Sequence, residues 1–294
     1  MKNMKKPTPR MMLIMSMTVF GTVGLFVRNI PLPSGEIALY RAVLAASLIA
    51  GYMLLSGQKL ELKSIKKQLP VLILSGIAIG INWILLFEAY RYTTVSVATL
   101  SYYFAPVIVT AASPLLFREK LTKTQVLCFL MSTFGLVMIT VSGDMSKGGT
   151  DLWGILFGLG AACFYASVVL MNKFVQGVDG IQKTLIQFFG AIVVLIPYVL
   201  CTGGVNLGQL QSTGWICLLV IGLVHTGITY CLYFSALKDL PGQKAAILSY
   251  IDPLVAVLVS FVLLGERMSM LQILGGLLIL GFTLWNELSG IKEA

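Results

Sequence analysis

Apolar runs of about 20 residues, broken by short polar links, recur along the whole chain. A helix needs about 20 apolar residues to cross the ~30 Å hydrocarbon layer of a bilayer. The pattern predicts ten such spans, at 11–29, 35–56, 69–90, 94–117, 123–142, 152–173, 180–201, 213–236, 243–264 and 269–288. The expected fold is therefore an all-α membrane protein with ten transmembrane helices. The link Arg91-Tyr92-Thr93-Thr94 is the shortest of the breaks and separates spans three and four.

Composition supports this. Only 11% of the residues are charged and 57% are hydrophobic, whereas a soluble domain carries about 25% charged residues. A net charge of +9 would suit nucleic acid, but the basic residues sit in links between apolar runs, where the positive-inside bias explains them. With the N-terminus in the cytoplasm, sixteen of the 21 Lys and Arg residues fall on the cytoplasmic side. Arg28, Arg91, Lys147 and Arg267 fall on the other, and Arg41 lies inside a span. The expected location is the cell membrane with both termini cytoplasmic, and no nucleic-acid partner. No small-x-small cleavage site precedes Arg28, so the first apolar run reads as a helix rather than a signal peptide. The five cysteines lie in or beside apolar runs without metal-binding spacing and read as buried free thiols.

The chain also repeats itself. An ungapped shift of 147 places Phe87, Ala89, Ala98, Tyr103, Pro106, Ser113, Leu116, Glu119 and Gln125 on Phe234, Ala236, Ala245, Tyr250, Pro253, Ser260, Leu263, Glu266 and Gln272. The expected units are residues 1–147 and 148–294, each of five spans. Five is odd, so the second unit enters the membrane from the opposite side. Inverted repeats of this kind are the architecture of alternating-access transporters.

Shared residues read as scaffold. Pro106 and Pro253 lie within spans four and nine, where a missing N–H frees the carbonyls of Tyr102 and Ser249. Such breaks are tolerated where they face protein or a wet cavity, so both are expected beside a central hollow. Glu119 and Glu266 precede the capping-box patterns Thr122–Gln125 and Ser269–Gln272 and read as structural. Gly76-x-x-x-Gly80 and Gly154-x-x-x-Gly158 predict close helix crossings.

Leu39-Tyr40-Arg41-Ala42, Ala89-Tyr90-Arg91-Tyr92-Thr93, and Pro106 followed by Phe117-Arg118-Glu119-Lys120 carry a resemblance. So do Ala236-Leu237-Lys238, Pro253, Leu263-Leu264-Gly265-Glu266-Arg267, and the glycines Gly275, Gly276 and Gly281. With these motifs, nearly the whole chain resembles the EamA-like branch of the drug/metabolite transporter superfamily. The resemblance implies two inverted five-helix repeats around a substrate cavity, and export or import of amino acids, other metabolites or drugs. Small proton-coupled relatives carry a glutamate in the first helix. Here that helix reads Phe20-Gly21-Thr22-Val23-Gly24, so their proton mechanism does not carry over.

Polar residues that the repeat does not share are the candidates for chemistry. Asp252 faces Ala105 in the alignment, His225 faces Ala78, Glu88 faces Ser235, and Arg41 faces Gln187 with the offset changed by one. Asp252 lies about 15 Å deep, where a charged carboxylate costs about 3 kcal/mol. It would meet an ammonium group or a coupling proton, or else serve structure by pairing with Arg41 or a helix terminus. Arg41 would bind a carboxylate, snorkel outward, or pair with Glu36 or Glu88. His225 and Glu88 join Asp252 as proton-coupling candidates. Asn82, Trp83, Tyr102, Tyr103, Tyr165, Tyr230, Tyr233 and Tyr250 would line the cavity or pack the helices.

These residues point to a secondary transporter of a small polar solute, with a zwitterion such as an amino acid favoured by the mixed charge. A cationic drug or quaternary amine is the alternative, and a channel ranks lower. No HExxH, GxSxG or Walker motif occurs, so neither an enzyme nor an ATP-driven pump is expected. No cofactor or metal is expected. A coupling proton or cation, and a monomer or homodimer, remain open.

Overall fold

The computed structural model describes residues 8–57, 62–117, 121–142, 150–240, 245 and 248–290. These residues form helices throughout. We label them α1 (Pro9–Val27), α2 (Ser34–Leu55), α3 (Leu62–Tyr92), α4 (Val95–Tyr102 and Ala105–Phe117) and α5 (Lys123–Val141). The second half supplies α6 (Thr150–Phe174), α7 (Gly180–Thr202), α8 (Ser212–Leu219 continuing to Asp239), α9 (Ile251–Leu263) and α10 (Met270–Gly290). By length and apolarity, α1 to α8 can each cross a membrane, while α9 and α10 are shorter apolar helices at the places of expected spans nine and ten. The chain is a multi-pass membrane protein. Leu54, Leu55, Phe134, Leu200 and Met270 are exposed apolar side chains, as a lipid-facing surface requires. All five cysteines are free, but Cys163 and Cys201 are exposed, against the expectation that all would be buried.

Packing follows the repeat. The contact of α3 with α6 recurs as α8 with α1, α3 with α7 recurs as α8 with α2, and α4 with α6 recurs as α9 with α1. The pairs α2–α7, α4–α9 and α5–α10 each join a helix to its own counterpart. This set is unchanged when the halves are exchanged. Most of the core therefore lies between the halves, not within them.

Small residues set the crossings. A Cβ on Gly76 would collide with the carbonyl of Gln187, and one on Gly190 would stand 2.7 Å from that of Ile73. There α3 and α7 meet backbone to backbone, as the Gly-x-x-x-Gly pattern predicts. Gly154 meets Thr93 and Gly158 meets Ser101, again as expected.

Both proline breaks are present. α4 stops at Tyr102 and restarts at Ala105, and α9 starts at Ile251 behind Tyr250. Two further irregularities were not legible in the sequence. α1 is interrupted at Thr22, whose hydroxyl donates to the Val19 carbonyl at 2.7 Å. α8 adopts π-helical geometry over Val220–Ile228, a form common at functional sites. The capping boxes form as expected: Gln125 and Gln272 each accept from the cap backbone, at 2.8 and 2.9 Å. Glu119 and Lys244 lie outside the described residues.

Candidate functional site

Between the halves lies a cavity of about 400 Å³. Its walls come from α1, α2, α3, α4, α6, α7, α8 and α9. Trp83 of α3 and Tyr230 of α8, the aligned aromatics, both line it. Tyr102 packs on Tyr165 with ring centroids 5.5 Å apart, and Tyr230 meets Phe20 edge-on at 5.2 Å.

Arg41, Asp252 and Lys183 are the charged residues that line the cavity. Arg41 is 5% exposed, and its guanidinium carbon lies 4.4 Å from the Trp83 ring centroid. Its Nε donates to Thr226 Oγ1 at 2.6 Å, and that hydroxyl donates to the Ile221 carbonyl at 2.8 Å. The π-turn makes this possible, because an i→i+5 backbone lets Thr226 reach the carbonyl five residues back while presenting its oxygen to α2. Among the described residues no carboxylate lies within ion-pair distance of Arg41. Glu36, one expected partner, instead accepts from the backbone N–H of Asn206 at 2.9 Å. Glu88, the other, pairs with Arg91 at 3.3 Å.

Asp252 lines the same cavity from the start of α9. Its Oδ2 accepts from the Tyr103 hydroxyl at 2.6 Å. Tyr103 sits at the break in α4, so the two interrupted helices touch through this bond. No cationic side chain among the described residues pairs with Asp252. The alternative in which Asp252 and Arg41 neutralise each other is thus absent here.

Of the expected lining residues, Arg41, Asn82, Trp83, Tyr102, Tyr103, Tyr165, Tyr230, Tyr233 and Asp252 come together. Asn82 also ties α3 to α6 by donating to the Ala161 carbonyl at 2.6 Å. Two expectations of cavity lining need correcting. His225 does not line the cavity. It is 2% exposed, with Nε2 2.8 Å from Thr22 Oγ1, Nδ1 3.2 Å from the Val220 carbonyl, and Phe26 edge-on at 4.9 Å. The π-segment turns it toward the interruption in α1 instead. Tyr250 caps α9 and is not a lining residue. Glu88 faces a lateral groove shared with Arg91, Tyr92 and Tyr198, because it lies on the flank of α3 that meets α6 and α7.

Sequence reasoning missed Tyr90, Thr99, Asn172, Lys183 and Gln187 as lining residues. Gln187 bridges Ser75 at 2.8 Å and Asn172 at 2.9 Å. Its alignment with Arg41 was the available signal, whereas Lys183 had been counted only as a loop charge. Asn172, Lys183 and Leu237 stand within about one turn of helix ends on the face where α1 begins. The cavity thus reaches toward that face.

Comparison with known proteins gives the family and the fold. The EamA-like transporter family matches the chain twice, over residues 9–141 and 152–286. Uncharacterized transporter YxxF of Bacillus subtilis is 30% identical over 276 residues, covering 94% of this chain and 88% of its own. An uncharacterized transporter of Archaeoglobus fulgidus is 27% identical over 94% of this chain and 95% of its own. A solved crystal structure covers 96% of both chains with a TM-score of 0.67 at 16% identity, a likeness of fold.

Proposed function

The chain belongs to the EamA-like transporter family, and we propose that it carries a small zwitterion, such as an amino acid, across the cell membrane by alternating access. One observation carries this reading. A single cavity holds a buried guanidinium and a carboxylate, neither of them paired with an opposite charge among the described residues. A lone buried charge is expensive, and a zwitterion supplies both missing partners at once. Its carboxylate would meet Arg41, whose fork suits bidentate contact. Its ammonium would meet Asp252 and the faces of Tyr102, Tyr103 and Tyr165.

The positive-inside count supports a cytoplasmic location for the face where α1 begins. The structure would then represent the inward-facing member of the cycle. A binding cavity lying between two halves suits a carrier, whereas a channel needs a continuous pore. The second reading, an organic cation, draws on Asp252 among tyrosines but leaves Arg41 without a role.

Counterflow in proteoliposomes tests the proposal. Vesicles preloaded with an unlabelled mixture of neutral amino acids should accumulate the matching labelled amino acid transiently. Accumulation of labelled tetraethylammonium instead, with no amino acid taken up, would establish the cation reading. Ion currents far above carrier turnover would establish a channel.

A further inference from the structure

At the face where α1 ends, one carboxylate gathers four helix ends. Glu266, in the link from α9 to α10, is ion-paired to Arg28 at 2.9 Å. Its other oxygen accepts from the Val95 backbone N–H at 2.8 Å and from the Ser260 hydroxyl. Arg28, just past the end of α1, also donates to the Thr93 carbonyl in the link from α3 to α4. The Thr93 hydroxyl donates to Asp151 in the first turn of α6 at 2.8 Å. Arg28, Thr93 and Val95 belong to the first half; Asp151, Ser260 and Glu266 belong to the second. The bonds therefore tie the halves together across the interface that alternating access must open.

Tyr90 borders two hollows, one of them shared with Arg28 of this cluster. It lines the central cavity, and it also lines a second pocket shared with Arg28, Ser34 and Arg91. Side chains on a helix lean toward its N-terminus, so Tyr90, near the end of α3, leans back over the cavity. At the opposite face the cavity reaches helix ends.

We propose that the Arg28–Glu266 clasp is the gate that holds this face shut over Tyr90, and that its release lets the central cavity open there. The proposal rests on the transporter reading above. The repeat adds a counterpart: Ser260 and Glu266 correspond to Ser113 and Glu119. Glu119 lies outside the described residues and enters by its sequence position alone.

Thiol accessibility tests this. Ala256→Cys, in full-length chain with Cys128, Cys163, Cys201, Cys217 and Cys231 replaced by serine, places a reporter in the cavity wall. A membrane-impermeant maleimide is applied to intact cells and, separately, to inside-out vesicles. In the reporter background, labelling should come mainly from the vesicle side. Labelling from neither side would overturn the cavity reading itself. Labelling confined to the cell side would likewise overturn it. Glu266→Gln and Arg28→Ala should each raise labelling of intact cells about fivefold, the sign of a shifted two-state balance. Arg28→Ala leaves the Val95 and Ser260 contacts of Glu266 in place and carries the test where Glu266→Gln fails to reach the membrane. Glu119→Gln should not raise labelling of intact cells. Unchanged labelling in both clasp variants overturns the gate. So does an equal rise with Glu119→Gln.

Discussion

α4 and α9 share a proline break, at Pro106 in one and Pro253 in the other, yet Ala105 precedes the first proline and Asp252 the second. The same contrast separates α2 from α7. Arg41 of α2 stacks on Trp83 and faces the cavity, while its counterpart Gln187 spends its amide on Ser75 and Asn172. What both halves keep is what a two-fold packing requires: breaks, capping boxes and small residues at crossings. Where they differ, the first half contributes Arg41 to the shared cavity and the second contributes Asp252, with Lys183 also lining it. A symmetric scaffold therefore supports an asymmetric site, and an asymmetric site can hold a ligand whose two ends differ.

Substitutions at paired positions break this contrast most directly. Asp252→Asn should lower amino acid transport in proteoliposomes the most, roughly 10- to 150-fold, since a hydrogen bond to a charged group is worth about 1.5–3 kcal/mol. Ala105→Ser, at the matching buried place in α4, should leave the rate within about twofold, because it adds one small hydroxyl and removes no partner. Similar losses in both would show that the proline region, not the carboxylate, governs transport.

Arg41→Gln should come next, with transport falling about tenfold as the carboxylate end loses its charged partner. Gln187→Ala should cost only about two- to threefold, because its amide serves helix–helix bonds worth about 1 kcal/mol or less each in a membrane. A reversed order would move the anion-binding role to α7.

The smallest change is expected for His225→Gln. Its ring holds α8 to Thr22 from outside the cavity, so transport should stay within about threefold, while thermal stability drops by a bond's worth, about 1 kcal/mol. A loss of transport matching that of Asp252→Asn would return His225 to the transport pathway.

Much of this was legible in the sequence. Eight of the expected spans followed from apolar run length, the two matching repeats from the internal alignment, and the crossings at Gly76 and Gly154 from spacing. These are local or periodic signals. The interruption at Thr22 and the π-turn of α8 were not legible, because neither has a proline or a periodicity to announce it. That π-turn decides where His225 points and how Thr226 meets Arg41, so the placement of both depended on geometry absent from the sequence pattern. Glu266 was read as structural from its place before a capping box, but its partners Arg28 and Val95 lie more than 170 residues away. Only the folded chain brings them together.

The central claim is that one cavity reads both ends of a zwitterion. A thermal-shift measurement on the purified protein tests it directly, because a ligand that binds only the folded state raises its melting temperature. Each neutral amino acid is compared with its decarboxylated amine and its deaminated acid. The account predicts that at least one amino acid stabilises the wild type, that neither of its half-analogues does so equally, and that Arg41→Gln and Asp252→Asn each erase the shift. An amine that stabilises as well as its parent amino acid, with no change in Arg41→Gln, would contradict it.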